Sequence, residues 1–203
     1  MTNILVIRSS ANAERSVTNQ LVDGYLAQVA AHHPGAKITE RNLDSDPVPH
    51  VTSATLAGIG RAAPDTPHTE SARALSDLLI GELVAADTLV IGLPMYNFGM
   101  PSTLKSWFDY TLRAGATFQY TATGPEGLVK NTRAVILAAR AGAYGEGAAE
   151  FQVAHVRTLL NFIGITDIEI VIAEGLAFGE EAAASAIKAA HGAIGQLVKV
   201  PAA

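Results

Sequence analysis

The chain has 203 residues, 49% apolar and 16% charged, with 14 Lys and Arg against 19 Asp and Glu, for a formal net charge of −5. That length accommodates one sizeable domain with a filled core, excludes wholesale disorder, and the charge argues against a nucleic-acid binder, which shows a basic face. With no cysteine, disulfides, Cys-ligated zinc, iron–sulfur clusters and a Cys nucleophile are excluded together.

The first segment, NILVIRS (3–9), is an apolar run of strand length. It lacks the basic region of a signal peptide, and no run in the chain approaches the ~18 apolar residues of a membrane helix. The expectation is a soluble, cytoplasmic protein. Residues 17–31 then place Val17, Leu21, Tyr25, Leu26 and Val29 on one helical face. AKITERNL (36–43) alternates apolar and polar residues, as a strand with one exposed face does. Residues 44–68 hold four of the nine prolines and read as an irregular loop with a short helix near 52–60. A helical stretch at 69–85 leads into ADTLVIGLP (86–94), a near-continuous apolar run. A helix at 102–113 follows, then residues 115–131, whose alternation and TGPEG turn signal predict a small excursion beyond the sheet edge. TRAVILAAR (132–140) and DIEIVIAEG (167–175) are further apolar runs, followed by helices at 149–163 and 180–198.

Five β–α units in one chain predict an open, doubly wound parallel sheet with helices on both faces, in a single α/β domain spanning 1–203. Ligands of such sheets sit beyond the carboxyl ends of the strands. Three loops lie there: 9–19, 94–102 and 139–147. In the first, Ser9, Ser10, Ser16 and Thr18 offer hydroxyls beside a helix N-terminus, a donor set suited to a phosphate; Ser16 alone is as readily a helix cap. Neither G-x-G-x-x-G nor G-x-x-x-x-G-K-[ST] is present, so a monophosphate fits better than a pyrophosphate. In the second, Met95, Tyr96 and Phe98 flank Asn97. They read either as a plug for the sheet end or as a flat wall for a planar heteroaromatic ring. In the third, Ala139, Ala141 and Gly142 either allow close backbone approach to a ligand or make an ordinary glycine-containing turn, and Arg140 brings a positive charge either to the ring or to a surface carboxylate. The six histidines form no H-x-x-x-H pair and no G-x-S-x-G elbow occurs, so neither a metal site nor a hydrolase triad is expected.

The serine-rich stretch from Ser9 to Leu21, PMYNFGMPSTLKSWFD (94–109), RAG.TFQYT..GPEGLV (113–129), AARAG (138–142), FIGI.D (162–167) and EG.A.G (174–179) resemble the FMN-dependent NADH-azoreductases, a branch of the flavodoxin-like NAD(P)H:quinone reductases. The resemblance covers nearly the whole chain and fades between 44 and 68. It implies a flavodoxin-like five-stranded sheet of order 2-1-3-4-5, with insertions at about 44–68 and 115–131. It implies bound FMN, with Ser9, Ser16, Val17 and Thr18 at the phosphate; relatives often carry Ser in place of Thr18. Met95, Tyr96, Asn97 and Phe98 are then expected along the isoalloxazine ring, and Ala139, Arg140, Ala141 and Gly142 at its pyrimidine edge, where relatives often read SRGG. Tyr144 stands where some relatives have His and is a hydrogen-bond or proton donor; no dedicated catalytic acid or base is implied. Tyr120 and Phe162 match aromatic positions framing a substrate opening at the interface of a homodimer. Apart from the resemblance, a nicotinamide 2′-phosphate would want an Arg, and Arg61 in the unmatched insertion is a candidate. The implied activity is two-electron, ping-pong hydride transfer from NADH or NADPH to quinones and azo compounds, an azo bond needing two cycles to give two amines. The alternative is a flavodoxin-type electron carrier without small-molecule turnover.

Overall fold

Successive residues of the first strand face different cores, which sets the architecture. In the computed structural model, which describes residues 2–60, 63–145, 147 and 149–198, β1 (Asn3–Arg8) sends Leu5 and Ile7 to one buried cluster and Ile4 and Val6 to another. The sheet is therefore apolar on both faces, as strand alternation requires. It has five parallel strands: β1, β2 (Lys37–Asn42), β3 (Thr88–Pro94), β6 (Arg133–Ala139) and β7 (Ile168–Ala173). Their order is β2-β1-β3-β6-β7, which is 2-1-3-4-5 when only this sheet is counted. The first cluster takes side chains from α2 (Pro67–Ala85), α3 (Ser102–Thr111) and α4 (Gln152–Ile163); the second takes them from α1 (Val17–His32) and α5 (Glu180–Leu197). Among the described residues, no helix is long and apolar enough to cross a membrane.

Local chemistry shifts several boundaries from those expected. The second helix begins at Pro67, two residues early, because Thr66 and Thr69 form a reciprocal capping box and Pro occupies the first helical position. The fourth begins three residues late, at Gln152, because the Glu150 side chain is spent accepting from the amides of Val153 and Ala154. Strand β3 is buried at all seven positions, whereas β7, also an apolar run, is an edge strand with Ile172 exposed.

The two insertions differ from each other. The expected helix near 52–60 is instead a succession of hydrogen-bonded turns: Thr55 and Leu56 donate to the Thr52 carbonyl, and Gly58 donates to Thr55. The Thr55 hydroxyl accepts from the Thr52 amide as in a helix start, but the bonds that follow are three-residue turns, Gly58 to Thr55 and Gly60 to Ala57. Arg73 of α2 pins the segment by donating to the carbonyls of Gly58 and Gly60. The second insertion is an antiparallel hairpin, β4 (Phe118–Thr121) with β5 (Gly124–Gly127). Its turn is Ala122–Thr123, so GPEG is the return strand rather than the turn. Pro125 is tolerated because a two-stranded ribbon has only edge strands. The hairpin sits on the end of α4: a Cβ on Gly127 would lie 2.1 Å from the Gly164 nitrogen, so only glycine allows the two backbones to touch.

Candidate functional site

Three loops converge at the carboxyl ends of β1, β3 and β6, and a fourth, after β7, closes the site. They enclose a cavity of about 320 Å3. Ser10, Asn12, Arg15, Ser16, Val17 and Thr18 line it from the first loop; Pro94 and Tyr96 from the second; Ala139, Arg140 and Ala141 from the third; Leu176 and Ala177 from the fourth. A larger groove, about 530 Å3, lies between α2 and the strands, but Asn3 and Ala86 mark it as the amino end of the sheet. Ligand chemistry in this architecture belongs at the other end.

The first loop leaves β1 through a short 3₁₀ turn (Ala13–Arg15) before α1. Its hydroxyls are largely committed. Ser9, 2% exposed, donates its one proton to the Gly92 carbonyl at 2.7 Å and does not line the cavity. Ser10 pairs with the Tyr96 hydroxyl at 3.4 Å and accepts from the Asn12 amide. Ser16 caps α1 by accepting from Asn19 N at 3.1 Å, and it shares a 3.0 Å hydrogen bond with Thr18 Oγ1. Both readings of Ser16 therefore meet in one residue: it is the cap and it faces the cavity. One proton of the Ser16–Thr18 pair stays available, together with the amides of Val17 and Thr18, which open the helix without intrahelical acceptors.

The second loop is a tight turn. Tyr96 and Gly99 exchange both backbone hydrogen bonds, at 3.0 and 3.1 Å, leaving Asn97 and Phe98 as the central pair with φ of 49° and 70°. Positive φ at both positions is the hairpin-turn conformation that glycine and asparagine favour; a Phe there is strained, and such strain gathers at functional sites. Among the described residues, the Asn97 and Phe98 amides find no acceptor in the chain. Tyr96 reaches back, its hydroxyl accepting from the Ala11 amide at 2.9 Å, so the first two loops are tied together. Phe98 is half exposed and meets Tyr144 edge-to-face at 5.8 Å, linking the second loop to the third. Met95 joins the same two loops through its amide, which donates to the Ala139 carbonyl at 3.0 Å.

The third loop is zipped to the fourth. The carbonyls of Arg140, Ala141 and Gly142 accept from Leu176, Ala177 and Gly175. The amides of Ala141 and Gly142 have no acceptor among the described residues. Gly175, with φ of 74°, needs its glycine for this return. Of the two courses open to it in the sequence, Arg140 follows the one toward carboxylates, but from a buried position. It is 1% exposed, and its guanidinium donates to Gln152 Oε1, Glu150 Oε1, Glu174 Oε2 and the Gly145 carbonyl at 2.8–3.4 Å. It is thus a buried strut in the wall of the site, its charge taken up by Glu150 and the partly exposed Glu174. Gln152 passes the connection on, donating to the Leu93 carbonyl at 2.7 Å, just before the second loop. Glu174 also accepts from the amides of Tyr144 and Gly145. Burial alone raises its carboxyl, but those two amides and Arg140 outweigh it and hold Glu174 below the usual carboxylate range.

Not every expected residue comes to this place. Tyr120 packs edge-to-face on Phe118, which meets Phe162 at 4.5 Å, an aromatic cluster on the hairpin and the last turn of α4. Phe162 is ten residues along that helix from Gln152, or ~15 Å. Tyr120 and Phe162 therefore do not line the cavity of their own chain. Arg61 lies outside the described residues. Asn12, Leu176 and Ala177 in the cavity wall, and Gln152, Glu150 and Glu174 in its support, were not singled out from the residues alone. Glu174 and its neighbours fall in the matched EG.A.G stretch, whereas Gln152 carries no motif. Among the described residues, no group of three His, Asp or Glu side chains could hold a metal ion.

A family model described as a flavodoxin-like fold matches residues 2–198. The FMN-dependent NADH:quinone oxidoreductase of Hyphomonas neptunium is 50% identical to the chain, over 98% of this chain and 96% of that protein. The protein of the same name from Yersinia pestis (strain Pestoides F) is 46% identical, over 98% and 99%. Among solved structures, an azoreductase from Bacillus anthracis superposes with a TM-score of 0.90 at 31% identity, covering 98% of this chain and 99% of that one. An FMN-dependent NADH-azoreductase from the same species, in complex with FMN, superposes with a TM-score of 0.86 at 27% identity over 98% and 100%.

Proposed function

The chain belongs to the flavodoxin-like fold family, and from that premise we propose that it is an FMN-dependent NADH:quinone oxidoreductase that also reduces azo compounds. The observation that carries the reading is the convergence of free backbone amides, a helix N-terminus and an aromatic turn on one cavity at the carboxyl ends of the strands. The residues fit FMN. Val17, Thr18 and the Ser16–Thr18 hydroxyl pair would hold the phosphate at the start of α1, where the helix dipole favours an anion. The Met95–Phe98 turn would hold the ring, and the amides of Asn97, Phe98, Ala141 and Gly142 would meet its polar edge. Bound FMN supplies two-electron chemistry, accepting hydride from NADH and delivering it to the acceptor. Fixed amides at the polar edge stabilise negative charge that develops there, without reorganisation. Tyr144, beside Phe98, would offer a hydroxyl to the same edge. Arg140, with Glu150, Glu174 and Gln152, holds the loops that present these amides.

Helices cover both faces of the sheet, a reading the two core clusters support. The active enzyme is a homodimer: Tyr120 and Phe162 cannot serve their own cavity, so their role at a substrate opening requires a second copy. The enzyme works in the cytoplasm, where a nicotinamide donor is regenerated. NADH is the donor in the relatives' names; Arg61 is a candidate for the 2′-phosphate should NADPH also serve. Purified protein mixed with FMN gains a yellow chromophore, and anaerobic stopped-flow mixing with NADH bleaches it within the turnover time of a quinone. A protein that binds FMN without being bleached by NADH is an electron carrier instead; one that binds no FMN overturns the reading.

A further inference from the structure

We propose that Arg15 is the counter-cation of the flavin phosphate, so that this chain discriminates FMN from riboflavin mainly through one guanidinium; the proposal rests on the FMN reading above. Among the described residues, two charged ones line the cavity, Arg15 and Arg140. Arg140 is consumed by two carboxylates beneath it. Arg15 is exposed, and among the described residues its guanidinium has neither an ion pair nor a hydrogen bond. Its backbone, in contrast, is fixed. The Arg15 amide donates to the Asn12 carbonyl at 3.0 Å, and the Asn12 side chain donates back to the Arg15 carbonyl at 3.3 Å. The side chain thus swings from a pinned Cα on the rim of the cavity, one residue before the cap of α1.

The neutral donors fall short of what a phosphate monoester needs. Ser9 has given its proton to Gly92, and Ser10 is engaged with Tyr96. One hydroxyl proton of the Ser16–Thr18 pair and the first amides of α1 remain. A helix N-terminus contributes about half a positive charge, while a phosphate monoester near neutral pH carries about −1.5 to −2. Among the described residues, no acidic side chain lines the cavity to bring more negative charge. A guanidinium closes the deficit in the manner its fork allows, with two parallel hydrogen bonds to phosphate oxygens.

The test uses the full chain, stripped of flavin and titrated separately with FMN and riboflavin by flavin fluorescence. Wild type binds FMN far more tightly than riboflavin. Arg15→Ala loses about 10- to 100-fold in FMN affinity, the range for a charge-assisted contact, while riboflavin affinity stays within about twofold. Arg15→Lys recovers part of the loss, and the salt dependence of FMN binding flattens in Arg15→Ala, since screening acts on the missing ion pair. Equal FMN affinity in wild type and Arg15→Ala overturns the proposal. Equal losses for FMN and riboflavin also overturn it, because Arg15 then shapes the loop rather than holding phosphate. A wild-type chain that binds FMN while Arg15→Ala fails these criteria leaves the enzyme reading standing; a wild-type chain that binds neither flavin overturns both.

Discussion

The two ends of the cavity are built by opposite means. At the phosphate end, hydroxyl side chains are abundant but mostly bonded to their own chain: Ser9 to Gly92, Ser10 to Tyr96, Ser16 to Asn19 and Thr18. At the ring end, few side chains offer donors, yet a strained turn and a zipped loop leave the amides of Asn97, Phe98, Ala141 and Gly142 without an acceptor among the described residues. The first end is rigid because its donors are satisfied internally. The second is rigid only because something beneath it holds the loops. Recognition at the ring end therefore depends on support from residues that never touch the ligand.

The largest effect tests that support. Arg140→Met removes the guanidinium and leaves Glu150 and Glu174 without their common partner. Breaking a buried ion pair by deleting one member costs about 3–5 kcal/mol. Denaturant unfolding of the FMN-saturated protein should show a loss of that order, with the ring absorption band perturbed at once. A variant with wild-type stability and an unchanged spectrum would mean the third and fourth loops hold themselves up, and the contrast between the ends would collapse.

The next contrast lies within the phosphate end. Ser9→Ala strands the Gly92 carbonyl and should cost about 1–3 kcal/mol of stability, with FMN affinity nearly unchanged. Ser16→Ala removes a helix cap worth about 1 kcal/mol and a cavity donor as well, so it should weaken FMN distinctly. Paired unfolding and titration curves separate the two. If Ser9→Ala selectively weakens FMN at full stability, its hydroxyl turns to the phosphate when flavin binds.

At the ring end the strain itself can be measured. Phe98→Ala and Phe98→Gly lose the same aromatic ring and the same contact with Tyr144. They differ in that alanine keeps a Cβ in the left-handed region, which costs about 1 kcal/mol, and glycine does not. The glycine variant should be the more stable by about that amount, and both should turn over quinone more slowly than wild type. Equal stabilities would show that the turn relaxes once the ring is gone.

Much of this architecture was legible from pattern. Apolar runs located four of the five strands of the sheet, because parallel strands buried in the interior admit few polar residues, and alternation located the fifth, the exposed edge strand β2. The loops at their carboxyl ends are the ones that enclose the cavity. What the residues alone did not disclose was the direction in which side chains face. Ser9 and Arg140 sit where a ligand contact is expected, but both are turned inward by partners far along the chain, Gly92 and Glu174. A residue such as Gln152 has no signature, since its role exists only once Leu93 and Arg140 have been brought to either side of it. Turns were misread for a related reason. The 52–60 segment opens with a Thr52–Thr55 pair like the one that starts α2, yet its glycines at 58 and 60 close three-residue turns instead of continuing a helix.

The smallest expected effect is a pH dependence confined to the ring end. Glu174 is held below the usual carboxylate range, so its contribution is complete above its ordinary value and is lost as pH falls through the lower, folded one. Protonation weakens its hold on the amides of Tyr144 and Gly145 and on Arg140 together. The phosphate end loses affinity earlier, as the monoester takes up its proton near pH ~6, which would mask the change if FMN were the probe. Riboflavin has no phosphate and reports the ring end alone. Its affinity should stay level through pH 6 and decline modestly below the carboxylate range. Glu174→Gln keeps an acceptor for the two amides but cannot titrate there, so its riboflavin affinity should be level throughout. Parallel acid declines in both proteins would assign the effect to another group and leave the ring end with no titrating support.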